Sequence, residues 1–209
     1  MNKLILLRHG QSQWNLENKF TGWTDVPLTK KGIEEAIKAR NLLKNNGIYL
    51  DKVFSSVLQR ANKTAEIALN DPDFMNLWDN KKLKITKDKK LNERDYGDLV
   101  GLNKKETAKK FGEDQVHIWR RSYDTPPPNG ESLKDVVNRV SPYYEREILP
   151  YINDNKNVLI AAHGNSLRAT MIQLGLYKPE QISSIELPTG SPFCIDFNDG
   201  IIEKSYFLS

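Results

Sequence analysis

Two runs of apolar residues stand out along the chain, Leu4-Ile5-Leu6-Leu7 and Val158-Leu159-Ile160-Ala161-Ala162. Neither alternates with polar positions, which is the pattern of a strand buried on both faces. Each run leads to a histidine followed by a glycine: His9-Gly10, after Arg8, in the first and His163-Gly164 in the second. Between them, Thr29 reads as an N-cap, and Ile33, Ala36, Ile37, Leu42 and Leu43 supply the apolar face of a helix that reaches Gly47. Val53-Phe54-Ser55 reads as a short strand leading through Ser56 into a helix with Arg60, Ala61, Ala65 and Ala68. Arg60 falls in that helix's first turn, where a cation opposes the macrodipole, so another task is expected of it.

The remaining stretches are read in the same way. Gln11 to Leu28 forms a long polar loop, and loops of that length in compact folds usually carry function. Phe74, Met75, Leu77 and Trp78 read as a packing cluster, and Leu83 to Thr86 as a strand. Leu91 to Asn103 is irregular, with Asn103 capping a helix through Phe111; a short helix then carries Val116, Ile118, Trp119, Arg120 and Arg121. His117 on that helix is given no role. Thr125 to Gly130, with three consecutive prolines, is a stiff connection. Ser132 opens a helix with Leu133, Val136, Val137 and Val140 inward, and Pro142 is expected to kink or end its first half. After the 158–162 strand come a helix from Ser166 to Leu174 and a terminal strand pair, 193–197 and 201–207. This order implies an α/β fold: a three-layer α/β/α domain with a mainly parallel central sheet, one domain spanning residues 1–209.

Composition narrows the function classes. The 209 residues are 38% hydrophobic and 28% charged, with a net charge of +4. The basic residues are scattered among acidic ones, which argues against nucleic acid and fits a small anionic substrate. The single cysteine, Cys194, allows no intrachain disulfide and reads as a buried, inert thiol. No membrane-length span or signal peptide is visible, so a cytoplasmic protein is expected.

In an open α/β sheet, ligands bind beyond the carboxyl ends of the strands. If the two buried strands lie side by side and parallel, His9 and His163 face one pocket. Two histidines with Glu93 could ligate zinc, but zinc-site spacings are missing and neighbouring arginines would repel a divalent cation. There is no G-x-S-x-G nucleophile elbow and no P-loop. An anion pocket fits better. Guanidinium forks of Arg8 and Arg60 match a phosphoryl group, a neutral His9 ring can attack phosphorus, and His163, protonated or donating, can stabilise the spreading charge. Glu93 is the natural acid/base for a substrate hydroxyl, its pKa raised by burial and lowered by the arginines.

Arg8-His9-Gly10, Arg60, Glu93 and His163-Gly164 resemble the signature of the histidine phosphatase superfamily. The runs LLRHGQSQWN, FTGWTDVPLT, LNERDYGDLVGLNK, WRRSYDTPPP and IAAHGNSLRA resemble, over nearly the whole chain, the cofactor-dependent phosphoglycerate mutases within it. The resemblance implies interconversion of 3- and 2-phosphoglycerate, primed by 2,3-bisphosphoglycerate and without metal, with a phosphatase or bisphosphoglycerate mutase as the alternative. It implies that His9 is phosphorylated, Glu93 moves the proton and His163 stabilises the transition state, with Arg8 and Arg60 alongside. Substrate contacts are implied for Arg8, Gly10, Gln11, Ser12, Gln13, Trp14, Asn15, Thr21, Gly22, Arg60, Glu93, Arg94, Asp95, Tyr96, Lys104, Arg120, Arg121, Gly164 and Asn165. Two departures stand out. The chain is short between Pro128 and Gly130, where longer relatives carry an insertion that bears on subunit contacts, so a homo-oligomer of undefined state is allowed for. It also stops at Ser209 without their basic tail, from which weaker protection of the phosphoenzyme against water is expected.

Overall fold

The computed structural model of the protein describes residues 1–182 and 184–209. Its strands are β1 (Asn2–Arg8), β2 (Lys52–Ser55), β3 (Trp78–Asp79), β4 (Lys82–Leu83), β5 (Ile85–Lys87), β6 (Val158–Ala162), β7 (Pro192–Asn198) and β8 (Ile201–Phe207). Six of them form one sheet in the order β5-β2-β6-β1-β7-β8, while β3 and β4 make a separate hairpin. The three pairings among β5, β2, β6 and β1 are parallel, and β7 and β8 extend the edge antiparallel. The expected mainly parallel α/β sheet is what the chain forms.

The helices are α1 (Gln13–Leu16), α2 (Lys30–Asn45), α3 (Gln59–Ala68), α4 (Lys104–Phe111), α5 (Glu113–Arg121), α6 (Leu133–Tyr143), α7 (Leu149–Asn153), α8 (Gly164–Gln173) and α9 (Pro179–Ile182). Period-2 alternation along the central strands divides their side chains between two helical layers. Ile5, Leu7, Val53, Leu159 and Ala161 pack with Ala39 and Leu43 of α2 and Ala65 and Ala68 of α3. Leu4, Leu6, Phe54, Val158 and Ile160 face the other way, against Val136 and Val140 of α6 and Leu167 and Met171 of α8. Each such leucine, fully withdrawn from water, contributes about 1.5–3 kcal/mol. Cys194 is buried in the first layer, and burial pushes its thiol up to about 11.

Several elements differ from expectation for local reasons. The polar loop after His9 contains the one-turn helix α1, closed by a capping box between Ser12 and Asn15. Thr29 caps α2 through Gly32, yet Ile33 and Ile37 are exposed; the buried stripe is Gly32, Ala36, Ala39 and Leu43, small residues that let α2 lie close to the sheet. Met75 is exposed, leaving Phe74 and Leu77 to fill the core beside Trp78. The expected 83–86 strand is two pieces, because β4 pairs with β3 whereas β5 pairs with β2. Pro142 sits inside α6 without ending it; the backbone continues through a π-helical stretch, Tyr144–Ile148, into α7. A π turn beside a proline accommodates the missing N–H without breaking the helical course. The helix after β6 begins at Gly164, two residues before the expected Ser166, with His163 at its N-cap.

One close approach fixes the rim of the sheet. The backbone after β1 crosses the first turn of α2 so tightly that a Cβ on Gly32 would overlap the Gln11 carbonyl, and one on Gly10 would overlap Gly32. Gly32→Ala is expected to lower stability by about 1–3 kcal/mol, whereas Lys38→Ala, on the exposed face of α2, should stay within about 0.5 kcal/mol of the parent. Urea unfolding of both variants checks this; equal midpoints would remove the steric constraint.

Candidate active site

Parallel pairing of β1 with β6 sets Arg8 opposite Ala162, so the residues that follow, His9 and His163, leave the sheet side by side. Their ring centroids are 5.0 Å apart and the planes are tilted by 59°. The neighbouring strand, β2, leads through Ser56 into α3, whose second residue is Arg60. These strand ends open into a cavity of about 220 Å³ lined by Arg8, His9, Asn15, Lys19, Phe20, Thr21, Gly22, Arg60, Glu93, Tyr96, Lys104, Arg120, Arg121, Gly164, Asn165, Arg168 and Glu186. Seven of these are Arg or Lys and two are glutamates, so the wall is strongly cationic.

His9 is almost fully buried, and its Nδ1 lies 2.7 Å from the Gly10 carbonyl oxygen. A carbonyl can only accept, so Nδ1 carries the proton and Nε2 keeps its lone pair. Burial, followed by the charges of Arg60 and Arg8, holds the His9 ring well below the usual histidine pKa. The ring is therefore neutral near pH 7. The same causes, with His9 itself added, hold His163 well below its usual value. The His163 ring is therefore neutral near pH 7 as well. His163 has no exposed surface and stands behind the cavity wall, with Nε2 2.7 Å from Ser56 Oγ.

Arg60 is buried, and its guanidinium donates to the carbonyls of Gly22 and Thr24 at 2.8 and 2.9 Å. The bonds tie the 17–24 loop to α3 and explain a cation in a helix's first turn. Burial lowers its pKa to about 10, which still leaves it charged. Arg8 donates to the Leu187 carbonyl at 2.8 Å. The Nε atoms of Arg8 and Arg60 and Nδ1 of His163 are all buried without a partner. Orphaned polar atoms of this kind are rare in folded proteins, and here three of them gather around His9. A tetrahedral oxyanion docked against His9 offers acceptors to such donors.

Glu93 enters from the irregular segment after β5. Its Oε1 accepts from the Arg94 backbone N–H at 2.7 Å and from the Asn165 amide side chain at 2.9 Å, with a longer bond from the Asn165 backbone at 3.2 Å. Burial raises its pKa, but these bonds and the charges of Arg60 and Arg8 outweigh it, and the net direction is down. Glu93 rests as a carboxylate. Its backbone is clamped from behind: its carbonyl accepts from Trp23 Nε1 at 2.6 Å and from Arg139 at 2.9 Å, and Arg139 also grips the Lys90 and Asn92 carbonyls. Glu131 holds Arg139 through both carboxylate oxygens and accepts the Asp95 backbone N–H.

Of the residues expected at the site, Arg8, His9, Asn15, Thr21, Gly22, Arg60, Glu93, Tyr96, Lys104, Arg120, Arg121, Gly164 and Asn165 line the one cavity. The others surround it. Gly10 donates its N–H to Thr64 Oγ1, Gln11 joins the chain to Thr29 and Glu35, Ser12 caps α1, and Gln13 pairs with Glu17. Trp14 lies under the Lys19 ammonium. Arg94 is buried behind the wall, donating to the Tyr96 hydroxyl and the Arg120 carbonyl, and Asp95 holds the turn at Gly97. Sequence reasoning missed Lys19, Phe20, Arg168 and Glu186 on the wall, and Ser56, Glu131 and Arg139 behind it. Arg168 carried a signal, since it follows His163-Gly164 by one turn of α8. Arg139 is a helix residue like any other until the fold brings it under Glu93. Among the described residues, no group of three or more His, Cys, Asp or Glu side chains is arranged to hold a metal ion, and no helix is long and apolar enough to cross a membrane.

The profile of the histidine phosphatase superfamily (branch 1) matches residues 4–205. Proteins described as 2,3-bisphosphoglycerate-dependent phosphoglycerate mutase are similar over most of the chain. One from Rhodopseudomonas palustris is 53% identical across 93% of this chain and 91% of its own. One from Methylocella silvestris is 52% identical across 98% and 97%. Among solved structures, the alpha-ribazole phosphatase from Shigella flexneri superposes with a TM-score of 0.80 at 26% identity, covering 99% of this chain and 96% of that one.

The two neutral imidazoles give the fold a pH dependence. Both are held below the 6.5 of an ordinary histidine. Below that pH the unfolded chain binds protons that the folded chain refuses, so stability falls with pH by up to about 1.4 kcal/mol per unit for each ring. Urea midpoints are expected to drop between about pH 7 and about pH 5, and to drop less steeply in His9→Gln. A flat profile in the parent protein would show that the rings are not buried in neutral form.

Proposed function

The chain belongs to the histidine phosphatase superfamily, and on that premise we propose that it is a 2,3-bisphosphoglycerate-dependent phosphoglycerate mutase. It interconverts 3- and 2-phosphoglycerate in the cytoplasm as one catalytic domain over residues 1–209. The observation that carries this reading is a neutral His9, its Nε2 lone pair free, at the floor of a small pocket with seven cationic side chains. Relatives at about half identity across nearly the whole chain favour the mutase over hydrolysis.

The pocket suits a three-carbon ligand with two anionic ends. Arg8 and Arg60 flank His9, while Lys104, Arg120 and Arg121 form a second cationic cluster from α4 and α5. A phosphoryl group against His9 would satisfy the orphaned Arg8 Nε, Arg60 Nε and His163 Nδ1, and a carboxylate or second phosphate would meet the α4–α5 cluster. The same residues therefore fit 2,3-bisphosphoglycerate, which supplies the priming phosphoryl group.

In the reaction, the phosphoryl group held on His9 Nε2 passes to the free hydroxyl of the monophosphate, a P–O bond forming as the P–N bond breaks, and His9 Nε2 then takes the other phosphoryl group as its P–O bond breaks. The transfer has a loose transition state whose charge spreads over three equatorial oxygens, and the surrounding guanidinium and imidazole N–H groups stabilise it without reorganising. Glu93, a carboxylate at rest, takes the proton from the attacking hydroxyl in the first transfer and delivers it to the leaving oxygen in the second, so that it ends the cycle as it began. Its bonds to Asn165 and to the Arg94 backbone hold that carboxylate at a fixed position over the pocket.

Three outcomes test this. Phosphorus NMR of 3-phosphoglycerate with catalytic 2,3-bisphosphoglycerate should show the 2-isomer growing in, stimulated by the bisphosphate; inorganic phosphate without the 2-isomer would instead make the protein a phosphatase. His9→Ala should abolish both turnover and acid-labile phosphate on the protein while leaving the fold intact, and normal turnover would remove the nucleophile assignment. Glu93→Gln should lower kcat by about 10²–10⁴ with KM within a few-fold; a collapse of substrate binding instead would make Glu93 a structural residue.

A further inference from the structure

Behind the cavity wall, Ser56 occupies the turn between β2 and α3 and is completely buried. Its Oγ accepts the Leu58 backbone N–H at 3.2 Å and lies 2.7 Å from His163 Nε2. The other nitrogen of that ring, Nδ1, is buried and has no partner. The superfamily signature accounts for His163 but gives Ser56 no task.

Counting donors and acceptors settles the direction of the bond. If His163 carried its proton on Nε2 and donated to Ser56, two groups would be stranded in the interior: the Ser56 hydroxyl hydrogen and the Nδ1 lone pair. If Ser56 donates to Nε2, its oxygen still accepts from Leu58, its hydrogen is used, and only one group is left without a partner, an N–H at Nδ1. Unsatisfied buried groups are costly, so the second arrangement prevails. The relay runs from the Leu58 N–H to Ser56 Oγ–H to His163 Nε2.

We propose that Ser56 is a positioning residue that fixes His163 as the Nδ1–H tautomer, so that the two imidazoles 5.0 Å apart are set in opposite states, His9 with a bare Nε2 and His163 with a donor N–H. The proposal rests on the phosphoryl-transfer reading of the site, within which it assigns the source of the second imidazole's polarity. Gly10 and Ser56 do corresponding work from opposite sides. An acceptor at Gly10 forces the proton of His9 onto Nδ1 and frees the nucleophilic nitrogen. A donor at Ser56 forces the proton of His163 onto Nδ1, the nitrogen left without a protein partner and so available to the oxygens of a phosphoryl group held by the neighbouring His9 ring. Two neutral rings thereby supply a nucleophile and an electrophile without either being protonated from solvent.

The sequence contains only three histidines, His9, His117 and His163, so nitrogen-15 NMR of histidine-labelled protein can read each ring separately. In the parent protein, the shift of His163 is expected to show a protonated Nδ1 and a bare Nε2. A proton on Nε2 would overturn the proposal, whatever reaction the protein catalyses. In Ser56→Ala the His163 signals should move towards a tautomer mixture, kcat should fall about tenfold, less than the 10²–10³ seen when a transition-state donor is deleted outright, and KM for 3-phosphoglycerate should stay within about twofold because Ser56 does not reach the cavity. Orthovanadate, which mimics the transferring group, should bind more weakly in proportion to kcat. An Ser56→Ala protein with an unchanged His163 tautomer and unchanged vanadate affinity would also overturn the proposal. Ser56→Thr keeps the hydroxyl and should restore the tautomer; a variant with restored tautomer and no recovery of kcat would show that Ser56 acts only on packing. If the tautomers are as assigned and no phosphoglycerate turns over, the functional reading fails while the role of Ser56 stands.

Discussion

The parallel ladder between β1 and β6 is the constraint from which the site follows. Five consecutive residue pairs, from Leu4 with Val158 to Arg8 with Ala162, bring together segments more than 150 positions apart. A slip of one residue would exchange the faces of Leu4 and Ile5 and mismatch both helical layers, so the hydrophobic core locks the register. The two histidines inherit that precision. They need no mutual bond to stay adjacent, because the backbone that carries them ends at the same height on the sheet.

The second physical theme is the management of positive charge. Burying guanidinium groups is unfavourable unless their donors are occupied. Arg139 meets this, and Arg60 does so for all but its Nε, by gripping backbone carbonyls, at Lys90, Asn92 and Glu93 in one case and at Gly22 and Thr24 in the other. Each cation thus stitches a loop with no regular structure to a helix. The same bonds that satisfy the charges hold the irregular wall of the pocket in place; burial together with the residual positive field keeps both imidazoles neutral, and hydrogen bonds from Arg94 and Asn165 together with that field keep Glu93 ionised.

Much of this was legible from residue order. The uninterrupted apolar runs before Arg8 and His163 announced central strands, and the caps at Thr29, Asn103 and Ser132 marked helix starts that the structure keeps. The cavity wall was also largely legible, because its cations stand in motifs that are distinctive as strings. What could not be read were features decided by tertiary contact. Ile33 and Ile37 look like a core stripe, but the close crossing at Gly32 turns a narrower row of small residues inward. Glu131 and Arg139 are unremarkable charges until they meet beneath the Glu93 segment. Ser56 has no pattern at all; its importance comes only from the nitrogen it faces.

The strand order has a consequence for how the molecule is made. In the sheet, β6 lies between β1 and β2, although it comes about a hundred residues after β2 in the chain. During synthesis from the amino end, β1 and β2 therefore emerge long before the strand that joins them. Until residues 158–162 arrive, the edges of β1 and β2 that β6 pairs in the finished sheet have no partner. Insertion of β6 between them delivers His163 beside His9, so the pocket is assembled in a late, long-range step, and β7 and β8 complete the sheet only after it. A chain without β6 in place is consequently adhesive and inert together.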